Sequence, residues 1–366
     1  MKALVSRGAG NFVIEERPEP KPGAGDLLLR PAYTGVCFSD KHCYEGLVGA
    51  GSYADGLVIG HEVSAIVQAV GDGVADWKPG DLVSVDPRRY CGECPQCRGG
   101  AMLLCEQAPS FMGIGNGPDG AFADLFVSPA YTCHQLPDHV GMMEAALAEA
   151  MSCATRAVRL SGFSVHDDVV VFGAEDYGLF AVEWLKRGGA RQIVVVDPEE
   201  VRRRAALALG ATAVVDPEVE NVEAAIRDHM PRGADVSFVC MEDYVPAAQN
   251  YLRHAYNVSR IQGTVVILRA YGAAPFGNID PLSPWLKELT LRHFGFFFGS
   301  EPLRGGWARG DWQASLEGMA AGMKSSPPPG TIIVDWEDLR SKEDVDELFR
   351  GLPHSATKAV VRIGGG

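Results

Sequence analysis

The sequence predicts an α/β protein in which a β-rich part is joined to a doubly wound parallel sheet. Two patterns carry this prediction. Residues 1–36 and 63–85 alternate apolar and polar side chains, as half-buried strands do. From about residue 155, short apolar runs are followed by helical patterns, which is typical of buried parallel strands joined by helices. The length of 366 residues allows two or three domains.

Composition and charge restrict the function classes. Apolar residues make up 46% and charged residues 22% of the chain, as in an average globular protein. The formal charge of −14 argues against nucleic-acid binding, which needs a basic face. The densest basic cluster, Arg202–Arg204, is predicted to be a solvated helix face. We find no signal peptide and no run of about 18 apolar residues, so we expect a soluble cytoplasmic protein without a membrane span.

The β-rich part is predicted as a series of short strands separated by turns. Strands within residues 1–36 are punctuated by three prolines. The apolar run from Val63 leads into a Gly-Asp-Gly turn, and a second turn precedes the strand at 82–85. Further alternating segments occupy 121–136, after which the first long helical pattern begins.

The parallel-sheet part is predicted from an alternation of strands and helices. Asp167–Gly173 is an apolar strand that ends at glycine, and the helix that follows from Leu179 is capped by Gly188 and Gly189. The next buried strand, Gln192–Asp197, completes a βαβ unit. The remaining elements are predicted as helix 199–209, strand 212–215, helix 221–229, strand 235–240, helix 245–254 and strand 264–268. Right-handed crossovers join such units into a doubly wound sheet.

Four cysteines in a short segment predict a closed structural zinc site. Cys91, Cys94, Cys97 and Cys105 have the spacing with which one turning loop supplies the four thiolates of a tetrahedral zinc ion. Disulfides are the first alternative, but we expect a reducing compartment, in which thiols stay free or bind metal. An iron–sulfur cluster, which also uses four cysteines at short spacings, is the second alternative.

Two further segments carry residue types that bind zinc in catalytic sites. The first contains Cys37, Ser39, Asp40 and His42, and the second is the run Gly60–Glu62 with its histidine and glutamate. Ligands from separated loops suit a catalytic zinc that keeps one position open for water or substrate. Each residue alone is more often structural, so the combination carries the hypothesis.

The turn between the first strand and helix of the parallel sheet departs from the usual glycine pattern. A dinucleotide fold has Gly-x-Gly-x-x-Gly there, because the backbone must approach a pyrophosphate at the helix N-terminus. This chain has Gly173-Ala-Glu175-Asp176-Tyr177-Gly178, and two acids at this position oppose an anionic ligand. Asp197, at the end of the second strand, instead favours an adenosine ribose and disfavours a 2′-phosphate.

Together these residues resemble the zinc-dependent medium-chain alcohol and polyol dehydrogenases over nearly the whole chain. The segment from Cys37 to His42 resembles the first zinc-ligand loop of the family, Gly60–Glu62 the second, and the four-cysteine segment its structural zinc lobe. The resemblance implies a GroES-like β-rich catalytic domain at 1–155 and 296–366, and a Rossmann dinucleotide-binding domain at 156–295. It also implies that the C-terminal strand Thr357–Ile363 completes the β-rich domain.

The resemblance implies roles for individual residues. Cys37 and His61 would hold the catalytic zinc, with Glu62 and Glu149 supplying or exchanging the carboxylate position. Glu149 falls where the polyol branch of the family has a glutamate and the alcohol branch a cysteine. Ser39 and His42 would form a proton relay to solvent. The candidate cofactor-binding residues are Gly173, Glu175, Asp176, Tyr177, Gly178, Asp197 and Arg202.

The implied function is that of a zinc-dependent oxidoreductase that interconverts a secondary alcohol or polyol and its carbonyl with NAD(H). A zinc lyase or hydratase that uses the metal as a Lewis acid is the alternative that would explain the acidic turn. A non-catalytic homologue is the third class, and it predicts degraded metal-site residues. We predict weak or displaced NAD binding, and tighter binding when Glu175→Gly is combined with Asp176→Pro or Asp176→Ala.

The resemblance also implies a small-molecule substrate and assembly into a homodimer or homotetramer through exposed strand edges. The predicted substrate loops lie at 44–57, 110–118 and 271–300, the last of which contains a cluster of phenylalanines at 294–298. Further departures from the family pattern fall at Glu242, Asp243 and Arg269, all near the predicted cofactor cleft.

Overall fold

The computed structural model describes residues 1–46, 53–99, 105–107, 110–240, 251–268, 282–293, 310–351, 353 and 355–364. Three sequence departures, Glu242, Asp243 and Arg269, lie outside these ranges, as do the phenylalanine cluster at 294–298 and most of the predicted loop at 271–300.

The secondary structure of the described residues follows the predicted division of the chain. The strands are β1 (Lys2–Ser6), β2 (Phe12–Glu16), β3 (Asp26–Val36), β4 (Glu62–Val70), β5 (Leu82–Val85), β6 (Arg88–Arg89), β7 (Ser110–Phe111), β8 (Phe126–Pro129), β9 (Cys133–Gln135), β10 (Asp168–Phe172), β11 (Gln192–Val196), β12 (Ala213–Val215), β13 (Ala234–Val239), β14 (Ser259–Ile267), β15 (Thr290–His293), β16 (Thr331–Asp335) and β17 (Lys358–Arg362). The α-helices are α1 (Phe38–Glu45), α2 (Pro95–Arg98), α3 (Met142–Ala146), α4 (Ala148–Leu160), α5 (Asp176–Arg187), α6 (Glu200–Leu209), α7 (Val222–His229), α8 (Tyr251–Val258), α9 (Leu282–Leu286), α10 (Gly310–Ala320) and α11 (Lys342–Asp346).

Six strands form a parallel sheet in the order β12-β11-β10-β13-β14-β15. Side chains of β10 alternate between two cores: Val169 and Val171 pack in the core with α5 and α6, whereas Val170 and Phe172 pack in the core with α7 and α8. Both faces of the strand are therefore buried, which is why its sequence is continuously apolar. The predicted doubly wound sheet is confirmed. Its strand order reverses between β10 and β13, where such sheets bind ligands.

A second sheet of seven strands has the order β16-β17-β3-β4-β5-β9, with β8 paired to β3. The C-terminal strand β17 runs antiparallel to β3 and parallel to β16, so the end of the chain completes the β-rich part as predicted. This arrangement places Lys358 next to strands that lead to both predicted zinc-ligand loops, because β3 ends just before Cys37 and β4 begins just after His61.

Several element boundaries differ from the predicted ones. The helix predicted from Leu179 begins at Asp176, because the residues of the glycine turn already adopt helical geometry. The strand predicted at 264–268 begins earlier, at Ser259, where three exposed residues interrupt the apolar pattern. The helix predicted at 245–254 is described only as Tyr251–Val258, since 241–250 lie outside the described ranges.

The domain boundaries stay a prediction. The boundary at 155/156 falls inside α4, which is continuous and packs against both α5 and α10. The boundary at 295/296 lies outside the described residues. In the part of the chain that the structure describes, no helix is both long enough and apolar enough to span a membrane.

Candidate active site

Cys37, His61 and Glu62 come together at the ends of two neighbouring strands. Cys37 follows β3 and is the N-cap of α1, and His61 precedes β4. The antiparallel register pairs Gly35 with Glu62, so the two ligand loops are adjacent. Ligand atoms of the three residues all lie within 4.8 Å of one another, and all three side chains are buried. A Cβ on Gly35 would lie 2.1 Å from Glu62 Oε2, so only glycine permits this approach.

Two carboxylate oxygens at this group indicate a cation. Glu62 Oε2 and Glu149 Oε2 are buried and have no hydrogen-bond partner among the described residues. Leaving a buried polar atom unsatisfied costs about 1–3 kcal/mol, and more when the group is charged. Thiolate, imidazole and carboxylate together form a donor set that zinc accepts. The residues therefore fit a catalytic zinc ion.

Glu149 lies near this group but is not one of the three residues that share the 4.8 Å limit. It stands in the first turn of α4 and is buried. Burial and then the charge of Glu62 raise its pKa well above the usual value, and Lys358 partly offsets this rise. Glu149 is therefore close enough to Glu62 for their charges to interact, and its role at the metal stays a prediction.

Asp40 is a site residue to which the sequence analysis gave no role. Its carboxylate accepts hydrogen bonds from the Cys37 amide at 3.0 Å and the Tyr53 hydroxyl at 2.6 Å. Asp40 Oδ1 also lies 3.7 Å from His61 Nδ1, so the carboxylate stands behind two candidate metal ligands. Burial raises the pKa of Asp40, against the lowering effect of His61. The sequence did contain a signal for this role, because Asp40 is three residues after the N-cap Cys37, the spacing of a capping box.

The two residues of the predicted proton relay lie on α1. Ser39 is partly exposed, and its Oγ is 3.4 Å from the Tyr53 hydroxyl, a partner that the sequence did not indicate. His42 is buried, and its ring packs edge-on against Phe38 with centroids 5.4 Å apart. The relay between Ser39 and His42 stays a prediction.

Lys358 is a second residue that the sequence analysis missed. Its Nζ donates to Glu62 Oε1 at 2.8 Å and to Asp176 Oδ2 at 2.7 Å. The side chains of the lysine, the glutamate and the aspartate are 3%, 0% and 5% exposed, so this is a buried group of three charges. Burial alone would lower the pKa of Lys358, but Asp176 and Glu62 outweigh burial and raise it. The sequence signal for a buried, paired lysine was its place at the start of an apolar strand, since lysine is almost never fully buried unless it is paired.

The glycine turn keeps the backbone geometry that its first and last glycines require. Gly173 has a φ of +92°, in the left-handed region that favours glycine. A Cβ on Gly178 would lie 1.9 Å from the Gly173 carbonyl oxygen, so the helix packs too closely on the strand for any other residue. The turn therefore fits the first and third positions of a dinucleotide-binding motif.

The two acids of the turn are paired with cations. Asp176 binds Lys358, and its Oδ1 accepts the Tyr177 amide at 2.8 Å. Glu175 is the N-cap of α5 without capping through its side chain, and its Oε1 lies 2.9 Å from Arg202 Nη2. Both acids lie at the N-terminus of α5, but the Glu175 side chain makes no capping hydrogen bond there. Asp176 accepts one amide at the helix start through Oδ1, and its Oδ2 accepts from Lys358.

Asp197 and Arg202 lie beside this turn. Asp197 is fully buried and accepts the amides of Ala174 at 2.7 Å and Glu199 at 2.8 Å. Burial raises its pKa to about 6, although Arg202, 3.9 Å away, acts in the opposite direction. The predicted solvated face is wrong for Arg202, which is only 6% exposed because α6 turns it toward Glu175.

Tyr177 connects the glycine turn to the metal-ligand loops. It is buried, and its ring packs edge-on against Phe38 with centroids 6.0 Å apart. Its hydroxyl lies 3.5 Å from the Cys153 thiol. Burial and then the neighbouring thiol raise the pKa of Tyr177, so the hydroxyl stays protonated. The candidate cofactor turn and the candidate zinc site are therefore in contact.

The four-cysteine segment forms a separate ligand group. The Sγ atoms of Cys91, Cys94, Cys97 and Cys105 all lie within 4.8 Å of one another. No disulfide bond joins any of the nine cysteines, all of which are described, so the disulfide alternative is wrong. Amide groups donate to these sulfurs, including the amide of Cys94 to Cys91 at 3.3 Å, as expected around thiolates that hold a metal. The group fits a structural zinc ion.

Comparisons with known proteins agree with this geometry. Residues 23–138 match the model of the alcohol dehydrogenase GroES-like domain, and residues 178–320 match that of the zinc-binding dehydrogenases. D-xylulose reductase A of Aspergillus oryzae is 30% identical over 92% of this chain and 90% of its own length. Sorbitol dehydrogenase of Halalkalibacterium halodurans is 33% identical over 68% of this chain and 72% of its own.

Two solved structures extend the comparison. 2R,3R-butanediol dehydrogenase of Bacillus subtilis is 29% identical, with a TM-score of 0.80 and 99% of each chain covered. A zinc-binding dehydrogenase-type protein of Sinorhizobium meliloti 1021, bound to NADP, is 26% identical, with a TM-score of 0.83 and 99% of each chain covered.

Proposed function

The chain belongs to the zinc-dependent medium-chain alcohol dehydrogenase family, and we propose that it interconverts a secondary alcohol of a polyol or diol and the corresponding ketone with NAD(H). The observation that carries this proposal is the buried group of Cys37, His61 and Glu62, with its unsatisfied carboxylate oxygen, in contact with a dinucleotide-type turn through Tyr177. Relatives named for xylulose, sorbitol and butanediol support a substrate with neighbouring oxygens.

At the metal site, Cys37 and His61 would hold the catalytic zinc, with Glu62 and Glu149 supplying or exchanging the carboxylate position. Bound zinc supplies a Lewis acid that lowers the pKa of a substrate hydroxyl. Ser39, partly exposed on α1, accepts the substrate proton and passes it toward His42 and solvent, while Tyr53 fixes the Ser39 hydroxyl at 3.4 Å. Asp40 orients Cys37 and His61 from behind.

The turn Gly173–Gly178 would hold the pyrophosphate of the cofactor, and the bound nicotinamide would supply the acceptor for the substrate's hydride. Asp197 would receive the adenosine ribose, and its buried carboxylate opposes a 2′-phosphate. We therefore propose NAD as the preferred cofactor. Arg202 is occupied by Glu175, so it supplies no unpaired charge for a 2′-phosphate.

The lyase alternative loses its support. It rested on two unpaired acids in the glycine turn, but both acids are ion-paired, one with Lys358 and the other with Arg202. The curated relatives are named as reductases and dehydrogenases, which favours oxidoreduction. The non-catalytic alternative predicted degraded metal-site residues, whereas the candidate ligands converge.

We also propose that the protein forms a homodimer or homotetramer through β15, which is the edge strand of the parallel sheet among the described residues. All four residues of the edge strand β15 are exposed. Large apolar side chains lie beside it in sequence: Trp285 is 73% exposed and Leu286 is 62% exposed. An edge strand with apolar neighbours needs a cover, and a second copy of the sheet would provide one.

The test is turnover by zinc-loaded protein with sorbitol, xylitol and 2,3-butanediol, each with NAD⁺ and with NADP⁺, followed by the absorbance of the reduced nicotinamide. We expect oxidation of at least one polyol or diol, faster with NAD⁺, and its loss in Cys37→Ser. The matched control is Cys133→Ser, which changes a buried thiol away from both ligand groups. No turnover with any substrate pair, from protein that contains zinc, would contradict the proposal.

A further inference from the structure

Lys358 joins three parts of the fold that are far apart in the sequence. Glu62 opens β4 beside the candidate zinc ligand His61, Lys358 opens the C-terminal strand β17, and Asp176 opens α5 at the glycine turn. The ammonium and both carboxylates are buried. A buried ion pair is expensive unless its geometry is good and its hydrogen bonds are satisfied, so these contacts constrain all three side chains.

On the metal side, Lys358 fixes the orientation of Glu62. Glu62 Oε1 accepts from the lysine at 2.8 Å, whereas Oε2 is buried and has no hydrogen-bond partner among the described residues. One carboxylate oxygen of Glu62 lies within 4.8 Å of the ligand atoms of Cys37 and His61. One oxygen is therefore held by the lysine while the other stays available to a cation. Moving the ammonium would change where Glu62 stands relative to Cys37 and His61.

On the cofactor side, Lys358 binds Asp176, whose carboxylate lies at the helix start where a phosphate group of a cofactor would bind. Asp176 is the first residue of α5, a helix of 12 residues, and it accepts both the Tyr177 amide and the lysine ammonium. A helix N-terminus with a cation beside it is the environment that a phosphate seeks. A diphosphate placed there would compete with Asp176 for the same donors.

We propose that Lys358 is a positioning residue that couples the two sites: a diphosphate at the start of α5 displaces Asp176 from the ammonium, and the ammonium in turn shifts Glu62 at the metal. An ammonium has three N–H donors, and two of them bind Glu62 and Asp176, so the third can bind the incoming anion before the bond to Asp176 breaks. This inference rests on the proposed function, because it assumes the catalytic metal and a dinucleotide.

The test uses cobalt-substituted protein and ADP-ribose, which has the diphosphate of the cofactor but lacks the nicotinamide ring that would approach the metal. Calorimetry gives the affinity, and the visible difference spectrum with and without ADP-ribose reports the cobalt environment. Cobalt in the four-cysteine site cancels in the difference. Wild-type protein is expected to show a difference spectrum that saturates with the calorimetric Kd.

Asp176→Asn is the main variant, because asparagine keeps the size of the side chain and removes only its charge. We expect Kd for ADP-ribose to fall by about tenfold or more, since one fewer negative charge at a few ångströms changes an anion's affinity at least this much at an effective dielectric constant near 20. Lys358→Met is expected to abolish the difference spectrum, and Lys358→Arg to restore it in part.

Asp335→Asn is the matched control. Asp335 on β16 forms an exposed ion pair with Arg362, which lies on β17 as Lys358 does, and the change removes this pair without touching the site. It should change neither the Kd nor the spectrum. Two outcomes would overturn the proposal even if Lys358→Met does not fold. One is an equal Kd for ADP-ribose in the wild type and Asp176→Asn, and the other is no ADP-ribose binding by the wild type or by Asp176→Asn. So would a difference spectrum that persists in Lys358→Met. No readout needs turnover, so failure to oxidise a polyol is a separate result.

Discussion

Asp40 shows how one buried side chain can support several ligands of a metal. It binds the Cys37 amide and the Tyr53 hydroxyl and faces His61 at 3.7 Å, although it is not itself in the ligand group. Carboxylates behind metal-bound histidines fix the ring and raise its basicity. The effect of such a residue is therefore expected on metal affinity first.

We predict that Asp40→Asn weakens zinc binding at the catalytic site by about 10- to 100-fold. Release of zinc to a competing chelator measures this, with the four-cysteine site as the slower phase. Asp344→Asn is the matched control, since Asp344 forms the same capping box on α11, away from either ligand group. Equal zinc retention in the wild type and Asp40→Asn would show that Asp40 only caps its helix.

Asp197 predicts a pH dependence of stability. Burial raises its folded pKa from 3.8 to about 6, so between these values the folded state binds more protons than the unfolded state. Stability contributed by this group is therefore present below about pH 4 and is lost as pH rises through about 6. The loss is roughly 3 kcal/mol, from about 1.4 kcal/mol per pKa unit.

Denaturant unfolding of the wild type and Asp197→Asn at a series of pH values measures this contribution. The variant is expected to be less stable overall, because one of the two amides would face the NH2 group of asparagine instead of an oxygen, but the difference between the two proteins should shrink as pH rises from 4 to 6. A difference that is constant over this range would mean that Asp197 titrates normally in the folded protein.

At the scale of elements, the four-cysteine lobe brings its candidate ligands together within a short loop. Among its described residues, 91–99 and 105–107, the buried side chains are those of Cys94, Cys97 and Cys105. Such a loop is ordered by its metal, so metal binding contributes directly to folding.

We predict that Cys94→Ser lowers the thermal unfolding midpoint and removes one zinc ion per chain, whereas Cys37→Ser removes activity with a smaller loss of stability. Elemental analysis and calorimetric unfolding of the two variants measure both effects. Two zinc ions per chain are expected in the wild type. Iron in place of zinc at the four-cysteine site would contradict the assignment.

In the glycine turn, the structure changes the interpretation that the sequence alone supports. Its acids are ion-paired, so they oppose an anion less than two unpaired carboxylates would. We still expect Glu175→Gly combined with Asp176→Ala to tighten NAD binding, because the change removes bulk and two negative charges and leaves Lys358 and Arg202 to the ligand. Calorimetry with NAD on both proteins is the measurement, and unchanged affinity would show that the paired acids are tolerated.

At the scale of the whole molecule, the exposed edge β15 and the apolar side chains beside it predict self-association. We expect light scattering at micromolar concentration to give a mass well above the 39.2 kDa of one chain. Trp285→Asp should shift the protein toward the monomer, because it places a charge in the covered surface. Val219→Asp, at a residue that is 79% exposed elsewhere, is the control. A wild type of 39 kDa only would contradict this.

The sequence by itself determined the two-part fold and the metal chemistry. Apolar runs of period two and period 3.6 are local patterns, so they located the strands and helices between 167 and 240 to within a few residues. The spacing of Cys91, Cys94, Cys97 and Cys105 is local too, which is why it predicted a ligand group that the structure brings together. The ligand types at Cys37, His61 and Glu62 were readable for the same reason.

Only the tertiary structure decided how the charges are paired. Lys358 is 296 residues from Glu62 and 182 from Asp176, and no pattern along the chain relates them. They meet because β17 pairs with β3, β3 pairs with β4, and the first residue of α5 lies within hydrogen-bond distance of the first residue of β17. The burial of Arg202 against Glu175 likewise depends on how α6 lies beside the glycine turn. Periodicity in the sequence gives the face of an element on which a side chain lies. The charged partner of that side chain is fixed by the packing of distant elements, because the strength of an ion pair depends on the distance between the charges in the folded protein and not on their separation along the chain.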